Sequence, residues 1–235
     1  MNFSFSPIGV VHSPYKQKFA IPRQPGLVSE ANGLIEMLPP CDKIEAFEGI
    51  EEFSHLWLLF IFHETMEKGW SNQVRPPRLG GNIKKGIFST RTTFRPNPIG
   101  MSVVEFKGIR KENKKLFLEL SGLDLLDQTP IIDIKPYLPY ADSITGASGG
   151  FAPAKPEADM EVIFESTALK QCESFLGQYP DLITFISAVL KQDPRPGYKK
   201  KSEEEREYAV YLYDLNIRWK VIGNTNVVTT VEKKC

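Results

Sequence analysis

The sequence has no excess of charge of either sign, few cysteines and no long apolar run, and each absence excludes a class of protein. Its 235 residues contain 29 Lys and Arg against 29 Asp and Glu, so the formal net charge is zero. The longest apolar run covers residues 56–62, far short of the roughly 20 residues that a membrane-spanning helix needs. Three scattered cysteines (Cys41, Cys172 and Cys235) fit neither a disulfide framework nor a paired-cysteine metal site. We therefore expect a cytoplasmic protein with no membrane segment and no bound metal.

Common nucleotide-binding and metalloprotease motifs are also absent. No GxGxxG or GxxxxGK[ST] segment occurs, so neither a dinucleotide-binding fold nor a P-loop is supported. His63 and Glu64 begin like the zinc-protease motif HExxH, but residue 67 is a glutamate and the chain has only three histidines. The first residues lack a basic segment followed by an apolar one, so we expect no export signal.

The zero net charge hides a strong asymmetry along the chain. Residues 1–29 and 68–104 contain ten basic residues and no acidic one, whereas the remaining residues carry ten more acidic than basic groups. A basic window on an otherwise acidic chain is typical of a surface that faces an anion such as RNA.

Many short apolar segments separated by Gly and Pro predict a mainly β fold. Strand-like segments such as 54–63, 101–107 and 116–121 follow each other without long helices between them, which favours an antiparallel barrel or sandwich. Residues 141–159 are rich in small residues, Gly and Pro, so we predict a β domain over 1–150 and a small α+β domain over 151–235.

Five segments of the predicted β domain combine charged residues with Pro and Gly. Prolines stiffen such loops and glycines allow close approach of the backbone to a ligand, so together they indicate a preorganised pocket. The segments are FAIPRQPG (19–26), the end of the apolar strand at His63 and Glu64, VRPPRLGG (74–81), RTTFRPNPIG (91–100) and DIKPY (133–137).

Taken together, these motifs resemble the TsaA-like tRNA methyltransferase family. The matching segments are PRQPG, SHLWLLFIFH, RPPRLGG, STRTTFRPNPIGMS, DIKPYLPYAD and, near the carboxyl end, DPRPGY. The resemblance implies an enzyme that uses S-adenosylmethionine to methylate N6 of threonylcarbamoyladenosine at position 37 of tRNA, with threonine tRNA as the expected substrate. It also implies a homodimer, a single-sheeted β-barrel, and a cofactor bound near the barrel loops.

Residues carried over from the resemblance form a predicted cofactor pocket. They are Gln24, Pro25, Gly26, His63, Glu64, Arg91, Ile131, Ile132, Asp133 and Ile134. Chemistry agrees in part, because the Arg91 guanidinium matches the methionine carboxylate and the Glu64 carboxylate can accept from a ribose hydroxyl or the amino group.

Transfer of a methyl group to nitrogen depends mostly on positioning, but the target N6 is a poor nucleophile because its lone pair is delocalised into the carbamoyl group. A group that accepts its proton or polarises it is therefore expected. Asn97, followed by Pro98, resembles the amide-containing loop of other amino-methyltransferases, and Asp193 and Tyr198 in DPRPGY are the other catalytic candidates.

The predicted tRNA contacts follow the basic residues, since phosphate contacts supply much of the affinity of RNA-binding proteins. In the β domain we expect contacts from Arg75, Arg78, Lys84, Lys85 and Arg95, and in the tail from Arg195, Lys199 and Lys200. Tyr198 is the expected stacking residue for an unstacked base.

Two other functions fit the same residues. A non-catalytic RNA-binding barrel would explain the basic windows without a cofactor. A methyltransferase for a small molecule would explain the pocket without RNA.

Overall fold

The computed structural model describes residues 3–195 and 206–234. The chain divides into two compact units, of which the first comprises residues 1–12, 33–121 and 128–155, and the second comprises residues 13–32, 122–127 and 156–235. The boundary at 155/156 lies close to the predicted division at residue 150. The sequence offered no sign that residues 13–32 and 122–127 belong with the carboxyl-terminal unit.

Eight strands and one short helix make up the regular structure in the described part of the first unit. They are β1 (Gly9–His12), β2 (Gly33–Met37), β3 (His55–Ile61), β4 (Gln73–Val74), β5 (Lys85–Gly86), β6 (Ile99–Glu112), β7 (Lys115–Ser121), β8 (Pro130–Pro136) and α1 (Pro139–Asp142). Short 3-10 turns fill the connections, at Ile44–Phe47, Ile50–Glu52, His63–Lys68, Pro77–Leu79 and Ile87–Ser89.

Six of these strands close into a ring in the order β1-β2-β7-β6-β3-β8, and every neighbouring pair is antiparallel. The prediction of a mainly β fold is confirmed. Inward-pointing side chains such as Ile35, Leu58, Leu118 and Ile131 are fully buried and form the core of the ring.

Strand β3 turns one of its two faces towards the core of the ring. Its residues alternate between buried and partly exposed, with Leu56, Leu58 and Phe60 buried. The continuous apolar run at 54–63 predicts a strand that is buried on both faces. This prediction is wrong, because the alternate residues of β3 that point away from the core are partly exposed.

Two further sequence predictions change in the structure. The segment 86–90 predicts a short strand, but only Lys85–Gly86 pair, with Gln73–Val74, and Ile87–Ser89 form a 3-10 turn. Apolar residues at 44, 47, 50 and 53 predict a short surface helix. The structure instead has two 3-10 turns, because Gly49 between them takes a positive φ of 84°, which no α-helix allows.

The second unit is the expected small α+β module. Its sheet has the order β10-β11-β12-β9, with strands β9 (Glu161–Phe164), β10 (Glu207–Leu212), β11 (Leu215–Ile222) and β12 (Thr225–Lys233). Helices α2 (Ser166–Phe175) and α3 (Leu182–Lys191) complete it. Apolar residues of α3 recur at helical spacing, and Leu182, Phe185, Ile186, Val189 and Leu190 are buried.

The segment 13–32 joins this second unit through specific contacts. The Pro14 carbonyl accepts a hydrogen bond from the Tyr213 amide at 2.7 Å. Tyr15 is fully buried and forms a β-bridge with Leu212. Phe19 packs near Trp219, with ring centroids 6.3 Å apart. These contacts involve residues distant in sequence, which explains why composition did not reveal them.

Across the described ranges, 3–195 and 206–234, no helix is long and apolar enough to cross a membrane.

Gly100→Ala is expected to destabilise the first unit. A methyl group at this position would lie 2.3 Å from the Phe60 ring and 2.8 Å from the Phe62 ring, and these rings pack edge to face. Overpacking of this kind costs about 1–3 kcal/mol of unfolding free energy, measurable by chemical denaturation.

Gly86→Ala is the matched control for that measurement, because a methyl group there meets only the Ser89 hydroxyl, at 3.9 Å. Equal stability of the two variants would contradict the assigned packing of Phe60, Phe62 and Gly100.

Candidate functional site

Polar residues gather where β3 ends and β6 begins. The Phe62 amide donates to the Pro98 carbonyl at 2.8 Å, so the strand pairing continues beyond the last residues of β3. The Thr65 hydroxyl donates to the carbonyls of Phe62 and Thr93, at 3.3 and 3.4 Å. The segments that carry His63 with Glu64 and Arg91 with Asn97 are thus fixed against each other.

The loop 87–98 is held in shape by one arginine. Arg95 Nη1 donates to the Thr90 carbonyl at 2.8 Å and to the Ile87 carbonyl at 3.4 Å. Arg95 was predicted to contact RNA, and the structure shows that its guanidinium already makes these two internal hydrogen bonds. Its first role is therefore to organise the loop.

Strand β8 pairs with β3 on the side opposite to β6, so the predicted residues 131–134 lie beside residues 58–60 of β3. Ile131 pairs with Phe60 and Asp133 with Leu59, and the register shift between them leaves Ile132 as an extra residue, a β-bulge. The Asp133 carboxylate accepts from the Ile134 amide at 2.9 Å and lies 2.7 Å from Lys135 Nζ.

Ile131 differs from its neighbours in this segment. Its side chain is fully buried and its carbonyl accepts from the Ile8 amide at 2.8 Å. The side chain therefore serves the core of the ring, and the partly exposed residues Ile132, Asp133 and Ile134 are the ones that can meet a ligand.

His63 and Glu64 form the first turn after β3. His63 Nε2 lies 3.7 Å from Glu64 Oε1, and the Glu64 side chain is largely exposed. Arg91 and Asn97 are also exposed. One end of the first unit therefore presents a carboxylate, an imidazole, a guanidinium and an amide to solvent.

Gln24, Pro25 and Gly26 belong to the second unit. Within it the Gly26 amide donates to the Gly122 carbonyl at 2.9 Å, and Gly26 has a positive φ of 70°. This turn needs glycine for its backbone conformation. The part of these three residues in cofactor binding stays a prediction.

The residues predicted to act from the tail are placed differently from one another. Asp193 and Arg195 form a two-pronged ion pair, with Arg195 Nε 2.7 Å from Oδ1 and Nη2 3.2 Å from Oδ2. Their side chains are only 8% and 14% exposed, for Arg195 and Asp193 respectively. Tyr198, Lys199 and Lys200 lie outside the described residues.

Burial changes the interpretation of Arg195. Its charge was expected to contact RNA phosphates, but the residue is 7% exposed and its guanidinium is engaged by Asp193. The hydrogen bond to the Asp193 carboxylate raises the pKa of Arg195 above its ordinary value. In the structure this charge is therefore paired with Asp193, and a contact of Arg195 with RNA stays a prediction.

The other predicted RNA contacts in the first unit are accessible. Arg75, Arg78 and Lys84 are exposed and Lys85 is partly exposed. Arg78 also donates to the Ala154 carbonyl, a contact that no sequence motif indicated.

Sequence reasoning missed two exposed aromatic residues in the basic window 68–104. Phe88 is 79% exposed and Trp70 is 54% exposed. The available signal was their position in a window with seven basic and no acidic residues. Periodicity carried no information there because the loop has almost no regular structure.

Solved structures place this fold in a known class of enzyme. The crystal structure of TrmO from Pseudomonas aeruginosa matches with a TM-score of 0.81 and 41% identity, covering 100% of this chain and 98% of that chain. A second crystal structure of TrmO from the same organism matches with a TM-score of 0.82 and 39% identity, over 98% of both chains.

Two family models then identify the chain. The tRNA-methyltransferase O N-terminal domain matches residues 10–143, and the TrmO C-terminal domain matches residues 157–234. The chain belongs to the tRNA-methyltransferase O family, which confirms the resemblance found in the sequence.

Curated relatives agree with this assignment. The tRNA (adenine(37)-N6)-methyltransferase of Escherichia coli K12 is 53% identical over 220 residues, which is 94% of each chain. A Pseudomonas aeruginosa relative whose name contains the words S-adenosylmethionine-dependent methyltransferase RcsF is 48% identical over 221 residues, which is 93% of each chain.

A double-mutant cycle on Asp193 and Arg195 tests the buried pair. We expect Asp193→Ala and Arg195→Ala to interact by about 1–3 kcal/mol in unfolding free energy, because removing either partner leaves a buried charge unpaired. Chemical denaturation of the two single variants and the double variant gives this value.

The exposed pair of Arg218 and Glu207 is the control, with side chains 47% and 45% exposed and 3.5 Å between the charged atoms. Its interaction energy should stay below about 1 kcal/mol. Equal values for the two pairs would contradict the structural role given to Arg195.

Proposed function

We propose that this chain is an S-adenosylmethionine-dependent tRNA methyltransferase that methylates N6 of adenine 37. Membership of the family and the names of the relatives support the reaction. One structural observation supports the location of the site: residues 63–64 follow β3 and residues 91–97 precede its partner β6, while residues 132–134 lie on β8, the other neighbour of β3 in the ring.

The exposed groups at this end of the ring fit the chemistry of S-adenosylmethionine. Its methionine moiety carries a carboxylate and an ammonium group, which match the guanidinium of Arg91 and the carboxylate of Glu64. The partly exposed Ile132 and Ile134 offer apolar contact beside them. We therefore assign His63, Glu64, Arg91 and residues 132–134 to the cofactor.

S-adenosylmethionine supplies a methyl group on a sulfonium: the S–CH₃ bond breaks, a bond from that carbon to N6 forms, and N6 loses its proton. The chain must hold N6 in line with the methyl group and accept or relay that proton. We assign the task of holding the amino group to Asn97, which is exposed two residues before β6 and whose carbonyl accepts from the Ile99 amide at 2.8 Å.

The hydrogen bonds of Asp193 indicate which role to assign to it. Asp193 is bonded to Arg195, so we assign it to positioning rather than to accepting the proton. Tyr198 lies outside the described residues and stays a catalytic prediction.

The specific substrate is the finer part of the proposal. We infer that the adenine carries a threonylcarbamoyl group, that the product is its N6-methyl derivative, and that threonine tRNA is the preferred RNA. The support is the set of six sequence motifs that resemble the TsaA-like family. The exposed basic residues Arg75, Arg78, Lys84 and Lys85 would meet the phosphates of the anticodon stem.

We also infer a cytoplasmic homodimer whose six-stranded ring is the single-sheeted β-barrel that the family resemblance implies. Several large apolar residues of the first unit are exposed, among them Met66, Met101, Tyr140 and Ile144. A contact between subunits would remove such side chains from water.

Transfer of label from S-adenosylmethionine to tRNA tests the activity. The purified protein should label threonine tRNA that carries threonylcarbamoyladenosine, and should not label the same tRNA made without that modification. Cofactor binding without transfer would contradict the enzyme assignment. No cofactor binding at all, with RNA binding retained, would favour the non-catalytic RNA-binding barrel.

Arg91→Ala is expected to weaken binding of S-adenosylmethionine by roughly ten-fold or more, since a bond to a charged group contributes about 1.5–3 kcal/mol. Isothermal titration calorimetry measures this. Arg110→Ala, an exposed arginine paired with Glu119 on the neighbouring strand, is the control. Unchanged affinity in Arg91→Ala would remove this residue from the cofactor site.

Lys84→Glu with Lys85→Glu separates tRNA from a small-molecule substrate. Reversing two charges in the basic window should lower tRNA methylation several-fold and reduce its salt dependence, while cofactor affinity stays unchanged. Full activity at all salt concentrations would instead favour a small substrate.

A further inference from the structure

We propose that Phe88 and Trp70 form an aromatic clamp that stacks on an unstacked base of the anticodon loop. This inference rests on the proposed tRNA substrate and assigns a specific task to two residues that neither the sequence motifs nor the cofactor site uses. Both side chains are more than half exposed, which is unusual for aromatic residues.

The two residues lie beside the same short ribbon. Strands β4 and β5 pair Gln73 with Gly86 and Val74 with Lys85. The pairing continues one step, because the Ile87 amide donates to the Asn72 carbonyl at 3.0 Å. Trp70 lies two residues before Asn72 and Phe88 directly after Ile87, so one hydrogen bond ties together the segments that carry both rings.

Phe88 is held outward by a rigid turn. Ile87 beside it is 3% exposed and acts as an anchor. The Thr90 hydroxyl donates to the Ile87 carbonyl at 2.9 Å, and Arg95 donates to the carbonyls on both sides of the turn. These hydrogen bonds fix the backbone that carries the Phe88 ring, which lowers the entropy lost when the ring binds a base.

Arg95 adds a charge to this platform. Its guanidinium carbon lies 5.8 Å from the centroid of the Phe88 ring, within the range of a cation–π contact. A guanidinium next to an exposed ring is a combination that recurs in proteins that bind single-stranded nucleic acid, where bases stack on aromatic faces and arginine contributes beside them.

Charge favours RNA over a protein partner on this ribbon. At the other end of the ribbon, Lys84, Lys85 and Arg75 directly adjoin or belong to the paired residues. The whole window 68–104 has seven basic residues and no acidic one. A phosphate chain running along the ribbon would meet these cations first and present its bases to the aromatic end.

Methylation of N6 requires an open anticodon loop, and the clamp would stabilise that open form. N6 of an adenine within a stacked loop is not free to reach a methyl donor, so the target base has to leave the stack. An aromatic platform that stacks on another base of the loop would offset part of the free energy lost on unstacking. Base–aromatic stacking tolerates any base, so the clamp is expected to add affinity for an open loop with little sequence preference.

Phe88→Ala tests the clamp directly. We expect its affinity for an anticodon stem-loop of threonine tRNA, carrying a fluorescent adenine analogue in the loop, to fall roughly ten-fold. The fluorescence of the analogue reports stacking, and its change on binding should be lost. Phe88→Tyr should restore both signals, whereas Phe88→Leu, which keeps apolar volume without an aromatic face, should not.

Two controls distinguish the loss of stacking from the general loss of an exposed aromatic side chain and from the loss of a phosphate contact. Phe5→Ala removes an aromatic residue that is 64% exposed but lies outside the window 68–104 and outside the predicted pocket segments, and it should leave RNA affinity unchanged. The dependence of affinity on salt should be the same in Phe88→Ala and wild type, because no phosphate contact is lost.

Several outcomes would overturn the clamp. One is an unchanged RNA affinity in both Phe88→Ala and Trp70→Ala. Another is an equal RNA affinity in Phe88→Leu and Phe88→Tyr. A third is a change in the oligomeric state of Phe88→Ala on sedimentation, which would make the ribbon a contact between two copies of the chain. Methylation by the wild-type protein, assayed in parallel, tests the proposed function separately. Active wild type with unaffected variants removes the clamp alone, and inactive wild type that still stacks the loop removes the activity alone.

Discussion

The candidate site depends on the pairing of β3 with β6 and on its continuation to the hydrogen bond between the Phe62 amide and the Pro98 carbonyl. This bond fixes the exit of one strand against the entry of another. Gly100 makes the arrangement possible, because the rings of Phe60 and Phe62 occupy the space where a side chain would lie. Polar residues on the two connected loops are thereby held at one end of a rigid ring.

Much of the fold follows from local sequence. Apolar residues with period two predict strands such as β7, and the bounds of α3 follow from its helical spacing of apolar residues. The ring order could not be predicted, because β3 pairs with β6 and β8 through contacts between residues far apart in the chain. The placement of residues 13–32 in the second unit depends on similar distant contacts, such as the one between Pro14 and Tyr213.

Residue type alone indicates candidate residues for the site. Glu64, Arg91 and Asn97 stand out as polar residues in stiff loops, and the structure gathers their segments. Burial distinguishes exposed candidates from structural ones, since the Ile131 side chain lies in the core and the buried Arg195 forms an ion pair with Asp193. A sequence motif does not separate the two kinds of residue, because burial and hydrogen-bond partners depend on the folded chain.

The central claim is that one end of the six-stranded ring binds S-adenosylmethionine. Amide hydrogen exchange of the full chain, with and without this cofactor, tests it most directly, because exchange reports local opening segment by segment. The account predicts slower exchange at residues 62–65, 91–98 and 132–134 when the cofactor is present. Protection confined to other strands of the ring, with these three segments unchanged in a protein that binds the cofactor, would contradict it.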